Sequence, residues 1–145
     1  MDIIHVRRVY YHCNTGGNHL KIQESAENYL ETILVLSKRI GAVRSIDIVN
    51  ELDFAKPSVS VYVRNLRDNG FINIDKGGYI TLTDTGLEIA ETIFERHETL
   101  TRMLMYLGVD QDTAEKDACR IEHVISPESF DAIKHHMDTH APKVE

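Results

Sequence analysis

The order of its periodic segments constrains this chain more than any other feature. Apolar residues recur at helical spacing in three successive segments, at residues 22–40, 45–52 and 57–67. Two short strand patterns follow at once, at residues 71–74 and 79–82, and the turn sequence Asp75-Lys76-Gly77-Gly78 joins them. Three helices followed by a hairpin are typical of a winged helix-turn-helix.

Residues at the segment boundaries support these helices. We expect Ser45 to cap the second helix, Pro57 to occupy the first position of the third, and Thr83 to cap a fourth. After the hairpin the apolar pattern predicts three more helices, over residues 84–107, 111–125 and from residue 126 onward. The expected fold is therefore mainly α, with a winged helix-turn-helix domain followed by an all-helical domain.

Composition and charge limit the possible function classes. The 145 residues include no apolar run near the ~20 residues of a membrane helix and no apolar leader, so we expect no membrane partner. With only two cysteines, Cys13 and Cys119, reduced thiols and a cytoplasmic location are expected. The net charge is −7, but residues 44–76 are balanced, whereas residues 77–145 hold six Lys/Arg against fourteen Asp/Glu. An acidic C-terminal half can attract cations while a neutral segment meets phosphates.

The predicted third helix carries side chains suited to DNA. Its hydroxyl, guanidinium and amide groups can bind phosphates or base edges, and Val61 can contact a thymine methyl group. The alternative is a solvated helix face with one exposed valine, but the hairpin and the Lys56-Pro57-Ser58 entry favour DNA. The predicted DNA contacts are Ser45, Lys56, Pro57, Ser58, Ser60, Val61, Tyr62, Arg64, Asn65 and Lys76.

Three residues near the C-terminus indicate metal binding. Cys119, Glu122 and His123 have the spacing i, i+3 and i+4, which places them on one face of a helix. Thiolate, carboxylate and imidazole together suit a divalent transition metal. Taken singly, each has a structural explanation, as a small buried residue or a polar helix face. His97 and Glu31 alone likewise resemble a hydrogen-bonded core histidine and a solvated helix flank.

Four strings give the chain a resemblance to a known family. From about residue 22 to residue 137 it resembles the diphtheria-toxin-repressor (DtxR/MntR) family of metalloregulators, in a short form without the SH3-like C-terminal domain. The family consists of dimeric repressors that bind operator DNA when loaded with Fe(II) or Mn(II). The strings are Ser25-Ala26-Glu27-Asn28-Tyr29-Leu30-Glu31, Leu82-Thr83-Asp84-Thr85-Gly86, Glu95-Arg96-His97-Glu98-Thr99-Leu100 and Asp117-Ala118-Cys119-Arg120-Ile121-Glu122-His123-Val124-Ile125.

The resemblance implies a ligand set. Its members are Glu31, His97, Cys119, Glu122 and His123, with Asn28 as a weaker ligand. Asn28 stands where iron-type members carry Met and manganese-type members carry Asp. Cys119 stands where iron-type members carry Cys and manganese-type members carry Glu. Both Mn(II) and Fe(II) therefore stay open, with one or two ions per subunit.

The resemblance also implies domains and partners. The expected domains are a disordered N-terminal extension (1–21), the winged helix-turn-helix (22–95) and a helical dimerisation and metal-binding domain (96–145). The expected function is a repressor of metal-ion homeostasis that binds double-stranded operator DNA as a homodimer through its C-terminal helices. No small-molecule substrate and no enzymatic activity are expected. The alternative is a metal-independent winged-helix regulator in which the Cys/Glu/His face is structural.

Overall fold

Helices dominate the structure. The computed structural model describes the backbone of residues 18–142 and the side chains from residue 24 onward. Within these residues, six helices and one two-stranded sheet follow the predicted order. The elements are α1 (Asn18–Ile40), α2 (Ser45–Leu52), α3 (Lys56–Asp68), β1 (Ile72–Ile74), β2 (Ile80–Leu82), α4 (Asp84–Tyr106), α5 (Gln111–Ile121) and α6 (Pro127–His140).

The chain divides into two compact units. The first covers residues 1–92 and the second residues 93–145, so the division falls within α4. The predicted domain boundary, at residues 95 and 96, lies three residues later. None of the helices in the described part of the chain combines the length and apolarity that a membrane span requires.

The first unit is built around α1. This helix packs on α2 and β2, α2 packs on α3, and α3 packs on β1. The inner face of α3 consists of Val59, Val63 and Leu66, which have the spacing i, i+4, i+7 and are all buried. Burying such side chains removes apolar surface from water, at roughly 25 cal/mol per Å², and this holds the three helices against the hairpin.

The hairpin has an antiparallel register. Ile72 pairs with Leu82 and Ile74 with Ile80, and the inward residues Ile72 and Ile80 are buried. Between the strands, the carboxylate of Asp75 accepts hydrogen bonds from the backbone N–H of Gly77 (2.8 Å) and of Tyr79 (2.9 Å). Gly78 takes a φ of +82°, which favours glycine. The predicted wing is confirmed, with each strand beginning one residue later than expected.

Two predicted helix starts are wrong in detail. Ser45 is the first residue of α2 and does not cap it; Arg44 precedes the helix, and its backbone N–H donates to the Asp47 carboxylate at 2.8 Å. The Asp47 carboxylate thus binds the backbone N–H that precedes the helix, and the Ser45 hydroxyl has no capping role. Pro57 is the second residue of α3, since that helix begins at Lys56.

The first helix begins earlier than predicted. It starts at Asn18, so residues 18–21 of the predicted extension are helical, while the rest of that extension lies outside the described residues. Burial within α1 is continuous from residue 28 to residue 36. The apolar pattern that predicts this helix starts at residue 22, so the prediction begins there.

The start of α4 lies against the hairpin. The Thr83 hydroxyl accepts a hydrogen bond from the Gly86 N–H (3.2 Å), which confirms Thr83 as a cap, and it donates to the carbonyl of Gly70 (2.7 Å). A Cβ atom built on Gly86 would overlap the carbonyl oxygen of Phe71. Only glycine therefore fits this junction without displacing backbone.

The second unit contains the end of α4 with α5 and α6. The prediction that α5 reaches residue 125 is wrong, because the helix ends at Ile121 and a turn follows. Ser126 is extended (φ −68°, ψ 153°) and caps α6, its hydroxyl accepting from the Ser129 N–H at 3.1 Å. A residue that precedes proline is disfavoured in the helical conformation, so Pro127 accounts for the extended backbone of Ser126, which separates α6 from the turn after α5.

Candidate metal centre and nucleic-acid interface

A thiol, a carboxylate and an imidazole converge in the second unit. Ligand atoms of Cys119, Glu122 and His123 all lie within 4.8 Å of one another. Cys119 belongs to the last turn of α5, whereas the other two follow the end of the helix. Their backbone nevertheless stays close to helical, since Glu122 has φ −56° and ψ −30° and its N–H donates to the Ala118 carbonyl. The one-face spacing of the three residues is therefore retained.

The Glu122 carboxylate lies between two imidazoles. Its Oε2 is 2.8 Å from His97 Nδ1, and its Oε1 is 3.3 Å from His123 Nε2. The side chain of Glu122 is 0% exposed and those of the two histidines are nearly so. His97 on α4 is thus brought to the same cluster as the three C-terminal residues.

Arg96 supports the turn that holds two of these residues. Its Nη1 donates to the carbonyl of Glu122 (3.2 Å) and to the carbonyl of Ile125 (3.3 Å). The guanidinium also lies over the Phe130 ring, 5.6 Å from its centroid. Carbonyls at the end of a helix have no partner within the helix, and Arg96 supplies one for Glu122. Sequence reasoning missed this role, although Arg96 stands beside His97.

Two predicted ligands lie in the first unit, on α1. Asn28 is 7% exposed and Glu31 is 0% exposed, and their i, i+3 spacing places them on one side of the helix. In the described part of the chain, Asn28 Oδ1 is buried without a hydrogen-bond partner. A buried amide oxygen that lacks a donor is costly unless a cation or a proton donor reaches it. Glu31 is not the solvated flank that its position alone would indicate.

The donor set fits a divalent transition metal. Imidazole nitrogens bind middle and late first-row ions. Carboxylate and amide oxygens suit harder ions such as Mn(II), and thiolate suits softer ions. The residues of the second unit supply all of the nitrogen and sulfur donors in the predicted set. A buried cluster of this composition is a stronger indication of metal binding than surface acidic groups would be.

A predicted DNA-binding surface covers the outer side of α3 and the wing. Val61 is 53% exposed. Ser60 and Ser45 are half-buried. Arg64 Nε donates to the Ser60 carbonyl at 3.2 Å. The remaining exposed members of the predicted set are Lys56, Pro57, Ser58, Arg64, Asn65 and Lys76.

Tyr62 departs from the predicted outward orientation. Its ring stacks on that of Tyr29 from α1, with the centroids 4.3 Å apart and the planes at 24°. Burial raises the pKa of Tyr62 above its ordinary value. Burial also raises the pKa of Tyr29 from 10.0 to about 12, and the neighbouring Tyr62 adds to that increase. Tyr62 therefore links α3 to α1.

Arg44 supports the wing and was not predicted to do so. Its Nη2 donates to the carbonyl of Gly77, and its guanidinium lies 4.6 Å from the centroid of the Tyr79 ring. Both partners are more than thirty residues away in sequence. Lys76 lies in the loop that these contacts hold.

Comparisons with known proteins match each of two parts of the chain to a repressor domain. Residues 21–78 match the N-terminal DNA-binding domain of iron-dependent repressors, and residues 83–142 match their metal-binding and dimerisation domain. An HTH-type transcriptional regulator of Methanocaldococcus jannaschii is 30% identical over 125 residues, which cover 85% of this chain and 100% of that protein. The transcriptional regulator MntR of Escherichia coli O157:H7 is 30% identical over 121 residues, 83% of this chain and 78% of that protein.

Solved structures show the same fold. The manganese regulator SloR superposes with a TM-score of 0.71 at 26% identity, over 82% of this chain and 55% of that one. A manganese-dependent transcriptional repressor in complex with manganese gives 0.68 at 25% identity, over 78% of this chain and 52% of that one. The chain thus spans about half the length of these two proteins. From its matches to both domains and to relatives of 30% identity, the chain belongs to the DtxR/MntR family of metal-dependent transcriptional regulators.

Proposed function

We propose that this protein is a repressor of metal-ion homeostasis that binds double-stranded operator DNA when it holds Mn(II) or Fe(II). The observation that carries the proposal is the convergence of Cys119, Glu122 and His123 in a chain whose first half is a winged helix-turn-helix. A buried donor cluster joined to a DNA-binding domain gives a metal ion something to control. The family's dimerisation domain supports a homodimer formed through the C-terminal helices.

The proposed ligand set contains six residues. The second unit contributes His97, Cys119, Glu122 and His123, and α1 contributes Glu31 and, more weakly, Asn28. Support comes from the short distances around Glu122 and from the burial of both residues on α1. A bound divalent ion would supply the positive charge that a set of carboxylates and a thiolate needs in order to share one site.

The mixed donor set leaves the choice between manganese and iron to experiment. Asn28 provides a neutral oxygen donor, which suits a hard ion, while Cys119 provides a soft one. Two of the similar solved structures are named for manganese, and this supports Mn(II). We propose one regulatory Mn(II) or Fe(II) ion per subunit, because the described part of the second unit holds a single buried cluster of such donors.

Residues of the first unit suggest how the site acts on the DNA-binding surface. Tyr29 lies on α1 between Asn28 and Glu31, and its ring stacks on Tyr62 of α3. A change in the position of α1 would therefore move α3, the helix that carries most of the predicted DNA contacts. In a dimer, two recognition helices must match half-sites about one helical turn apart, so a small change in their position affects binding. Operator binding must in turn strengthen metal binding by the same factor.

We propose that the protein acts by binding DNA and has no enzymatic activity. The relatives described above are named as transcriptional regulators, which supports this view. A DNA partner also supports a cytoplasmic location, and no membrane or small-molecule substrate is proposed.

Metal-dependent binding to a selected operator tests the proposal. Sequences would be selected from random duplex DNA with the Mn(II)-loaded protein, and their affinity measured by fluorescence anisotropy with Mn(II), with Fe(II) under anaerobic conditions, and with a chelator. We expect the chelator to abolish specific binding. Glu122→Gln should behave like the chelated protein, whereas Glu128→Gln, an exposed carboxylate on α6, should behave like the wild type.

The alternative function predicts a different result. In a metal-independent winged-helix regulator, the Cys/Glu/His face serves only to stabilise the fold. Operator binding by the wild type would then be the same with Mn(II) and with chelator. That outcome would reject the metal-dependent proposal and leave the DNA-binding role in place.

A further inference from the structure

A pair of histidines lies on α6, apart from the cluster around Glu122. His136 and His140 have the spacing i, i+4, and both are exposed at the end of the helix. We propose that these two side chains form a second metal site, which binds a late first-row ion of the Zn(II), Ni(II) or Cu(II) class. The proposal does not depend on the repressor function.

The geometry brings the two imidazoles together. Their ring centroids are 4.4 Å apart, and the ring planes differ by only 21°. Side chains at i and i+4 are neighbours on a helix surface, and two histidines at this spacing are a known zinc-binding arrangement. Nitrogen lone pairs lie in the ring planes, so the His136 ring must turn out of this stacked arrangement before both rings bind one ion, and its exposure allows that rotation.

A hydrogen bond prepares His140 for coordination. Its Nδ1 is 3.1 Å from the backbone carbonyl oxygen of His136. A carbonyl only accepts, so in the neutral ring Nδ1 carries the proton and Nε2 keeps the lone pair. Metal-binding histidines commonly donate their other N–H in this way, which fixes the tautomer and the ring orientation.

The electrostatic surroundings favour a cation. His140 occupies the last turn of α6, where the carbonyl end of a helix attracts positive charge, and His136 lies one turn before it. Residues 77–145 also carry an acidic excess of eight charges, from fourteen Asp/Glu against six Lys/Arg. Lys134, the nearest basic residue on the same helix, is engaged by Glu95.

The donor type determines which ions bind. Two neutral imidazoles, with water in the remaining positions, give an affinity that rises from Mn(II) towards Cu(II) in the usual order of divalent ions. The cluster around Glu122 includes carboxylate and thiolate donors, so its preference differs. The protein would then hold two classes of site, with Mn(II) excluded from the pair on α6 at concentrations that load the buried cluster.

Histidine variants with a matched control test the pair. His135 is also exposed, and it precedes His136 directly, but it lies about 100° around the helix. Ni(II) binding would be measured by titration calorimetry on the full chain and on His135→Ala, His136→Ala and His140→Ala. We expect the second and third variants to lose one bound equivalent, or at least about tenfold in its affinity. His135→Ala should bind Ni(II) like the wild type, because it keeps both His136 and His140. Any binding at the remaining histidines is common to all four proteins.

A chemical readout avoids dependence on substitutions. Diethyl pyrocarbonate modifies exposed imidazoles, and peptide mass spectrometry locates the product. Zn(II) should protect His136 and His140 while His135 stays reactive. The proposal is overturned if Zn(II) protects none of the three, or all three equally, or if the single variants bind Ni(II) like the wild type. Mn(II) binding at the cluster around Glu122, measured by titration calorimetry, should be unchanged in His136→Ala, which separates the two sites.

Discussion

The Arg96 Nη1 donates a hydrogen bond to the carbonyl oxygen of Glu122 over 3.2 Å. Arg96 therefore contacts the backbone of a proposed ligand and leaves its carboxylate to the two imidazoles. A second bond from the same nitrogen, to Ile125, holds the other end of the turn. The orientation of the cluster thus depends on a residue that is not itself a proposed ligand.

Replacing Arg96 is expected to weaken metal binding. Arg96→Gln loses both hydrogen bonds to the turn, and loss of such supporting contacts lowers metal affinity by roughly 10–100-fold. Arg96→Lys keeps the positive charge but lacks the forked guanidinium donors, so its metal affinity should lie between those of the wild type and Arg96→Gln. Mn(II) affinity would be measured by titration calorimetry, with circular dichroism to confirm folding. Arg120→Gln, an exposed arginine on α5, serves as the control and should bind like the wild type.

Replacing Cys119 is expected to change metal preference more than total binding. Cys119→Ser removes the soft donor of the buried cluster, so affinity for Zn(II) and Fe(II) should fall further than affinity for Mn(II). In the Co(II)-loaded protein, the charge-transfer absorption of a cobalt–thiolate bond should disappear. Persistence of that absorption in the variant would show that Cys119 is not a ligand.

Alkaline pH is expected to destabilise the fold through Tyr29. Its pKa is about 12 in the folded protein and 10.0 ordinarily, so between these values the folded state retains a proton that the unfolded state loses. The stability from this residue is complete below pH 10 and is lost as the pH rises towards 12. The expected loss is roughly 2–3 kcal/mol. Urea unfolding at several pH values would measure it, and Tyr29→Phe should show a shallower decline over the same range.

Substitution of Gly86 is expected to disturb the junction between the hairpin and α4. Alanine there would place its methyl group against the Phe71 carbonyl, which itself accepts a hydrogen bond from the Thr83 N–H at 3.1 Å. Forced overpacking of this kind costs about 1–3 kcal/mol. Thermal unfolding would compare Gly86→Ala with Thr85→Ala, whose side chain is exposed. Equal stability of the two variants would contradict the close approach.

Much of the architecture could be predicted because it depends on local patterns. The stripe of Val59, Val63 and Leu66, the turn around Gly78, and the cap Thr83 each need only neighbouring residues. The burial of His97 follows from its place on the apolar stripe of α4, but its approach to Glu122 could not be derived from periodicity. That approach depends on the packing of two segments 25 residues apart, and only the family resemblance indicated it.

The errors at Tyr62, Arg44 and Arg96 share a physical cause, which is a contact with a partner distant in sequence. Tyr62 has a helical position consistent with solvent exposure, but a ring on another helix offers it a larger apolar contact than water does. Arg44 and Arg96 act on carbonyls that are distant in sequence, and no local pattern marks such partners. The early end of α5 is different, because it involves no such distant partner, and Pro127 accounts only for the extended conformation of Ser126.

The end of α5 has a consequence for how the buried cluster tolerates changes in sequence. Cys119 lies in the helix, and Glu122 and His123 follow it in near-helical backbone. A residue inserted or removed between positions 119 and 122 would turn Glu122 and His123 by about 100° around the helix axis relative to Cys119. The three donors therefore tolerate substitution of the residues between them but not a change in their number.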